Sequence, residues 1–297
     1  VSVYSIKDLE TLSGIKAHTI RMWEKRYGLL EPNRTDTNIR LYGDNELKHL
    51  LNVSLLLGMG YKISKISAMS RKIIAEEIQS NFEKKQPIEN LAVENKVNSL
   101  IVSMIDLDEY KFNQIYSRSI EKRGLEDTFI QVIYPFLARV GILWGINEVN
   151  PAEEHFISNL IRQKLITSTD ALPLPKADNP SFMLFLPENE LHELGLLLSN
   201  YIIRKAGLPT FYLGQNVPLP DALTIAERIK PNYIVLFFVT ALSRDEIPEY
   251  LESIQMNFKN TQIMVSGASY LFEQIVLPNN TQYLTHLADL KRVIESF

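Results

Sequence analysis

Apolar residues recur along the chain with two different periods, and the change of period divides it. Over residues 1–75 the spacing is helical and interrupted. Ile6, Leu9 and Leu12 follow Ser5 and Asp8, a capping-box-like start, and stop at Gly14, which predicts one short helix with its C-cap. A second helix is predicted over Ala17–Tyr27, and others over 44–57 and about 62–75. Between Leu30 and Gly43, the cluster Pro32, Asn33, Thr35, Asp36, Thr37 and Asn38 is a polar hairpin signal, flanked by Arg34 and Arg40. From 76 to 172 apolar positions return every three or four residues, and loops near 106–108, 123–126 and 146–150 cut the stretch into about four helices, a central four-helix bundle. Pro173, Pro175 and Pro180 mark a linker over 173–180. In 181–297, short apolar runs at 182–186, 210–213, 233–238, 262–266 and 282–284 each precede an amphipathic helical stretch. That alternation predicts a Rossmann-like, flavodoxin-like sheet of five parallel strands, with its ligand edge at their carboxyl ends. The expected fold is multidomain, α and α/β.

Composition narrows the function classes. Apolar residues make up 45% of the 297 and Gly plus Pro number 26, which excludes collagen-like and disordered chains. The longest apolar runs, such as 234–239, fall far short of the roughly 20 residues that cross a bilayer, and no apolar secretory segment follows Val1. A cytoplasmic protein with no membrane partner is the expectation. The chain has no cysteine, which removes disulfides, Cys-ligated metals and thiol catalysis. The net charge of −4 hides an asymmetry: residues 1–70 carry 10 Lys/Arg against 7 Asp/Glu, and the remainder 21 against 28. That split fits an anion-binding module attached to a body with another task.

The spacing around Gly14 would place helix Ala17–Tyr27 in a major groove of double-stranded DNA, with His18, Thr19 and Arg21 near its leading end and Arg26 further along. Arg34, Arg40 and Tyr42 would form a wing gripping phosphates, to which a guanidinium makes paired bonds. The same residues also fit a solvated basic surface, and pattern alone leaves both readings open. The segment resembles the MerR family of winged helix-turn-helix regulators over about 70 residues, through Tyr4-Ser5-Ile6, the run from Thr19 through Trp23-Glu24-Lys25-Arg26-Tyr27-Gly28 to Leu30, Pro32, Arg34, and Arg40-Leu41-Tyr42. Trp23 and Tyr27, at i and i+4, are expected in the core. Residues 80–89, polar and interrupted by Pro87, carry no sustained heptad, so self-association into a dimer or tetramer is expected from later segments.

The first strand of the C-terminal segment runs into Glu190-Leu191-His192-Glu193-Leu194-Gly195. A neutral imidazole there can ligate a transition metal, with Glu190 orienting its other nitrogen and Gly195 admitting a large ligand near the helix start. A loop histidine capping a helix is the alternative. The run resembles the acidic-x-His-x-x-Gly motif of cobalamin-binding domains, with Glu where Asp is usual. The resemblance implies that His192 takes the lower axial position on cobalt. It also places Thr240 and Leu242 at the family's Ser-x-Leu, and Ser266 and Gly267 at its Gly-Gly pair, past which the nucleotide tail slides.

Trp144, followed after nine residues by Glu154-His155, resembles the cap motif of light-sensing MerR-type regulators of the CarH/LitR group, which bind 5′-deoxyadenosylcobalamin. The resemblance implies that Trp144 packs beside the adenosyl group and that Glu154 and His155 approach its ribose. Such regulators commonly carry a histidine close to the tryptophan, whereas Gly145 follows it here. The chain is therefore expected to be a DNA-binding repressor, not an enzyme, that is controlled by adenosylcobalamin or another cobalamin form and by light. Ser266 and Gly145 leave room for a second reading, a cofactor-independent repressor using the same fold for oligomerisation or for binding an antirepressor protein. A corrinoid enzyme subunit is disfavoured by the winged helix and the lack of a substrate domain.

Overall fold

The computed structural model describes residues 4–35, 38–83, 93–145, 151–176, 179–267 and 269–297. They fall into two compact units, residues 1–159 and 160–297.

The first unit opens with α1 (Ile6–Ser13) and α2 (Ala17–Tyr27). Both halves of the predicted capping box are present: the Asp8 amide donates to Ser5 Oγ at 3.3 Å, and the Ser5 amide to Asp8 Oδ2 at 2.7 Å. Gly14, at φ 72°, ends α1 in a left-handed turn, and Glu10 caps α2 across it by accepting from the Ala17 amide at 3.1 Å. The wing is a short antiparallel ribbon of β1 (Asn33–Arg34) and β2 (Arg40–Leu41). Next come α3 (Asp44–Gly58), α4 (Ile63–Ile66) and α5 (Arg71–Glu83), so the single helix expected over 62–75 is two helices separated by residues 67–70. The expected lack of a heptad over 80–89 falls mostly outside the described residues.

The central helices are α6 (Val93–Ile105), α7 (Glu109–Thr128), α8 (Tyr134–Gly145) and α9 (Pro151–Asp170), and α6 packs on both α7 and α8. The expected loop at 123–126 is instead a kink at Gly124 (φ 78°), after which the chain stays helical through a π-helical turn, Phe129–Ile133. The expected loop at 146–150 lies outside the described residues. Residue 75 does not coincide with a break in packing, because α3 lies directly on α6. A Cβ at Gly58 would meet Asn95 Nδ2 at 1.7 Å. Polar contacts reinforce this seam: Arg139 Nη1 donates to Asn98 Oδ1 at 2.6 Å and to the Leu12 carbonyl at 3.2 Å, and its guanidinium pairs with Glu94.

The second unit begins within α9. It comprises β3 (Phe182–Pro187), α10 (Leu194–Lys205), β4 (Thr210–Val217), α11 (Leu219–Ile229), β5 (Tyr233–Phe238), α12 (Glu246–Asn257), β6 (Gln262–Gly267), α13 (Ser269–Phe272), β7 (Thr281–Tyr283) and α14 (Leu287–Ile294). All five expected strands are present and parallel, in the order β4-β3-β5-β6-β7. One sheet face, with Met183, Phe185, Ile234, Leu236, Phe238, Ile263 and Val265, packs on Ala222 and Ala226 of α11 and on Ile247, Leu251 and Ile254 of α12. The opposite face carries Phe182 stacked on Tyr233 at 4.7 Å, both against Phe297. The order reverses between β3 and β5, which opens a crevice at their carboxyl ends.

Candidate functional site

The loops after β3 and β5 meet at that crevice through Glu190. Asn189 makes the turn after β3 at φ 68°, and its amide donates to Asn216 Oδ1 at 2.8 Å, pinning the loop to the end of β4. Glu190 is fully buried. Its Oε2 accepts from the Val239 and Thr240 amides at 2.8 Å each and from Ala241 at 3.1 Å, while its Oε1 lies 2.6 Å from His192 Nδ1. Burial alone would raise the pKa of this carboxyl, but the His192 bond and the three amides hold it well below the usual carboxylate range. His192, with its side chain 56% exposed, is fixed in orientation by that carboxylate and by Thr240, whose Oγ1 lies 3.3 Å from Nδ1. Leu191 beside it is exposed, an apolar neighbour for a flat ligand.

Glu193, the next acidic residue, has a different task that spacing gave no reason to expect. It is buried, pairs with Arg162 of α9 at 2.5 Å and accepts from the Tyr212 hydroxyl at 3.0 Å, so α9 and β4 both hold the start of α10. Leu242 is half-buried and packs on the hydrophobic core. Ser266 donates to the Leu284 carbonyl at 2.9 Å, so its hydroxyl is occupied toward β7. Gly267 (φ 144°) has no alternative, since a Cβ there would lie 1.9 Å from the Phe238 carbonyl oxygen. Gly195 admits a close neighbour, and that neighbour is a side chain of the same unit: the ring of Phe237 would stand 2.6 Å from a Cβ at 195. In the sequence Phe237 is one residue of a wholly apolar strand, and nothing in the pattern singles it out.

In the first unit, Glu154 and His155 lie in the first turns of α9. His155 Nδ1 is 3.2 Å from Glu154 Oε2, Ser158 donates to Glu154, and the His155 side chain is exposed. Trp144 and Gly145 fall at the end of α8, and the Trp144 side chain lies outside what is described.

On the winged helix-turn-helix, His18, Arg21 and Arg26 are exposed along α2, Thr19 is half-buried, Arg34 is exposed on the wing, and Arg26 lies over the Tyr27 ring. Trp23 is buried and Tyr27 half-buried. The expectation for Tyr42 needs correction. It is 1% exposed, paired with Tyr4 in a bridge, and its hydroxyl bonds Glu24 at 3.2 Å, so it has no surface with which to meet a phosphate. Burial and the Glu24 carboxylate push its pKa up to about 12. Glu24 is the hub: its two oxygens accept from Arg40 Nε at 3.0 and 3.1 Å, and Arg34 lies 3.9 Å away. Helix α2 thereby holds the wing, a role not legible in Glu24 as part of a sequence run.

Comparison with known proteins matches residues 4–73 to the MerR HTH family regulatory protein model and residues 97–167 to the B12 binding domain model. The chain is 25% identical to the HTH-type transcriptional repressor CarH of Myxococcus xanthus over 276 residues, covering 92% of this chain and 91% of that protein. It is 26% identical to the repressor CarA of the same organism over 264 residues, covering 88% and 85%. Among solved structures, the monomethylamine corrinoid protein of Methanosarcina barkeri is 13% identical with a TM-score of 0.49, covering 69% of this chain and 96% of that one.

Proposed function

From a chain that carries a MerR-type DNA-binding domain followed by a B12 binding domain, homologous to the CarH and CarA repressors at about a quarter identity over most of its length, we propose a transcriptional repressor whose hold on operator DNA is set by bound cobalamin, with adenosylcobalamin as the form and light as the signal. The observation that carries the cofactor reading is the Glu190–His192 pair, 2.6 Å apart at the carboxyl ends of β3 and β5. Because Glu190 occupies Nδ1, Nε2 is the nitrogen His192 would present to cobalt, and a carboxylate behind it raises its basicity. The donor set fits: an exposed, oriented imidazole beside exposed Leu191, on a loop anchored by Asn216 and Glu193. When bound, adenosylcobalamin would supply a light-cleavable cobalt–carbon bond and a bulky adenosyl group, which on the family resemblance Trp144, Glu154 and His155 would contact. Exposed His18, Arg21, Arg26 and Arg34 would meet DNA, and Arg40 would hold the wing through Glu24.

Self-association into a dimer or tetramer would combine several modest DNA contacts into one tighter one. A cytoplasmic location agrees with this role; among the described residues no helix is long and apolar enough to cross a membrane. One observation favours the alternative, a cofactor-independent repressor using the fold to oligomerise or to bind an antirepressor: the Phe237 ring fills the space beside Gly195.

The deciding experiment is a visible absorption spectrum of the purified chain with adenosylcobalamin in darkness, then after green light. The proposal expects a protein-bound cofactor lacking the lower-base signature, which His192→Ala restores to the free form, and a spectral change on illumination. A spectrum identical to free cofactor in the wild type selects the alternative.

A further inference from the structure

Three observations converge on the sheet face that packs against α10. Along β5 the side chains alternate: Ile234, Leu236 and Phe238 enter the core under α11 and α12, so Tyr233, Val235 and Phe237 face the other way. In register, Phe237 pairs with Ser266 of β6. Its ring lies so close to the first turn of α10 that any side chain at 195 would collide with it, at 2.6 Å from the ring edge and 2.9 Å from the next ring carbon. Ser199, one turn further along the same face of α10, is also small and buried, and its hydroxyl is spent on the Gly195 carbonyl at 2.9 Å. Phe237 is therefore a large ring set against a residue that has no side chain, half-buried at the carboxyl end of the sheet, three residues before Thr240.

A complete cobalamin carries a nucleotide loop whose base occupies the lower face of cobalt. If His192 takes that coordination position, the displaced base must lodge on the same side of the corrin as His192. Only Glu193 lies between His192 and α10, so the adjoining space is that between the first turn of α10 and the ends of β5 and β6. Phe237 stands there. We propose that Phe237 is the residue that determines which corrinoids this chain accepts: its ring must swing aside before the nucleotide base can enter, whereas a corrinoid lacking the nucleotide needs no such movement. This inference rests on the cobalamin reading above. It makes the ring-out conformation the binding-competent state for complete cobalamins alone, so their apparent affinity is lowered by the fraction of time the ring is out.

Adenosylcobalamin and adenosylcobinamide share the corrin and upper group and differ in the nucleotide, so titrating both in darkness into the full-length wild type, Phe237→Ala and Phe237→Leu tests the idea. The expected result is a fall on the order of tenfold in the adenosylcobalamin Kd for Phe237→Ala, with adenosylcobinamide unchanged and Phe237→Leu in between. Circular dichroism melting of each variant separates loss of fold from change of affinity, and Phe237→Leu keeps an apolar filling if the alanine variant unfolds. Parallel changes for both corrinoids, or no change for either, overturn Phe237 as the selector while the cobalamin reading stands. If neither corrinoid binds the wild type or any variant, the cobalamin reading falls and the selector with it.

Discussion

A single carboxylate, Glu190, satisfies three backbone amides of one loop and the imidazole of another, all from a position with no solvent exposure. Its removal leaves buried donors without an acceptor, each worth about 1–3 kcal/mol. Glu190→Gln, which turns one accepting oxygen into a donor facing donors, is therefore expected to lower stability by about 1–3 kcal/mol in urea denaturation, whereas His192→Ala, at an exposed side chain, is expected to cost under about 1 kcal/mol. Equal losses for the two would show that Glu190 does not hold the loops. His49 offers a second residue-scale test. It is 8% exposed in α3, and burial, with the Arg71 charge adding to it, depresses its pKa from 6.5 to about 4. The unfolded chain then binds more protons than the folded one between those values, so stability is full above pH 6.5 and falls as pH drops toward 4. His49→Gln is expected to flatten that slope, by on the order of 2 kcal/mol across the window, in denaturation series at stepped pH. A slope unchanged by the substitution would assign it to other groups.

At the scale of elements, α2 and the wing behave as one piece because Glu24 of α2 binds Arg40 and Tyr42 and lies near Arg34. Glu24 carries the same sign of charge as DNA, so simple electrostatics predicts that neutralising it strengthens binding. The geometry predicts the reverse: Glu24→Gln should weaken binding because the wing loses its anchor, and Arg34→Ala should reduce the slope of log K against log salt by about one for every DNA sequence. Fluorescence anisotropy on random and selected DNA at several salt concentrations measures both, and tighter binding by Glu24→Gln would refute the anchor.

Most elements of this chain are legible from spacing alone. The capping box at Ser5, the stop at Gly14 and the five strands follow from local chemistry, and the motif around His192 anticipated its carboxylate partner. What was not legible depends on partners distant in sequence. The break at 67–70 interrupts a run whose apolar spacing continues across it, and Tyr42 reads as a wing residue until the bridge to Tyr4 buries it. Phe237 sits in a strand apolar on both faces, so its pattern does not distinguish the ring that faces α10 from the rings in the core.

At the scale of the molecule, two sequence-matched modules and homology along nearly the whole chain join DNA recognition to a B12 binding domain. In the first unit the DNA-binding helices are packed on the bundle through α3, α6 and Arg139, and in the second the loop bearing His192 is tied to α9 through Glu193 and Arg162. Helix α9 carries Glu154 and His155 near its start and Arg162 two turns later. The central claim is that cobalamin sets the hold on DNA. The most direct test is the affinity of the full chain for a DNA fragment selected from a random library, measured in darkness without cofactor, in darkness with adenosylcobalamin, and with adenosylcobalamin after green light. The account predicts tight binding only in the dark, cofactor-loaded sample, and its loss in His192→Ala; the same affinity under all three conditions would contradict it.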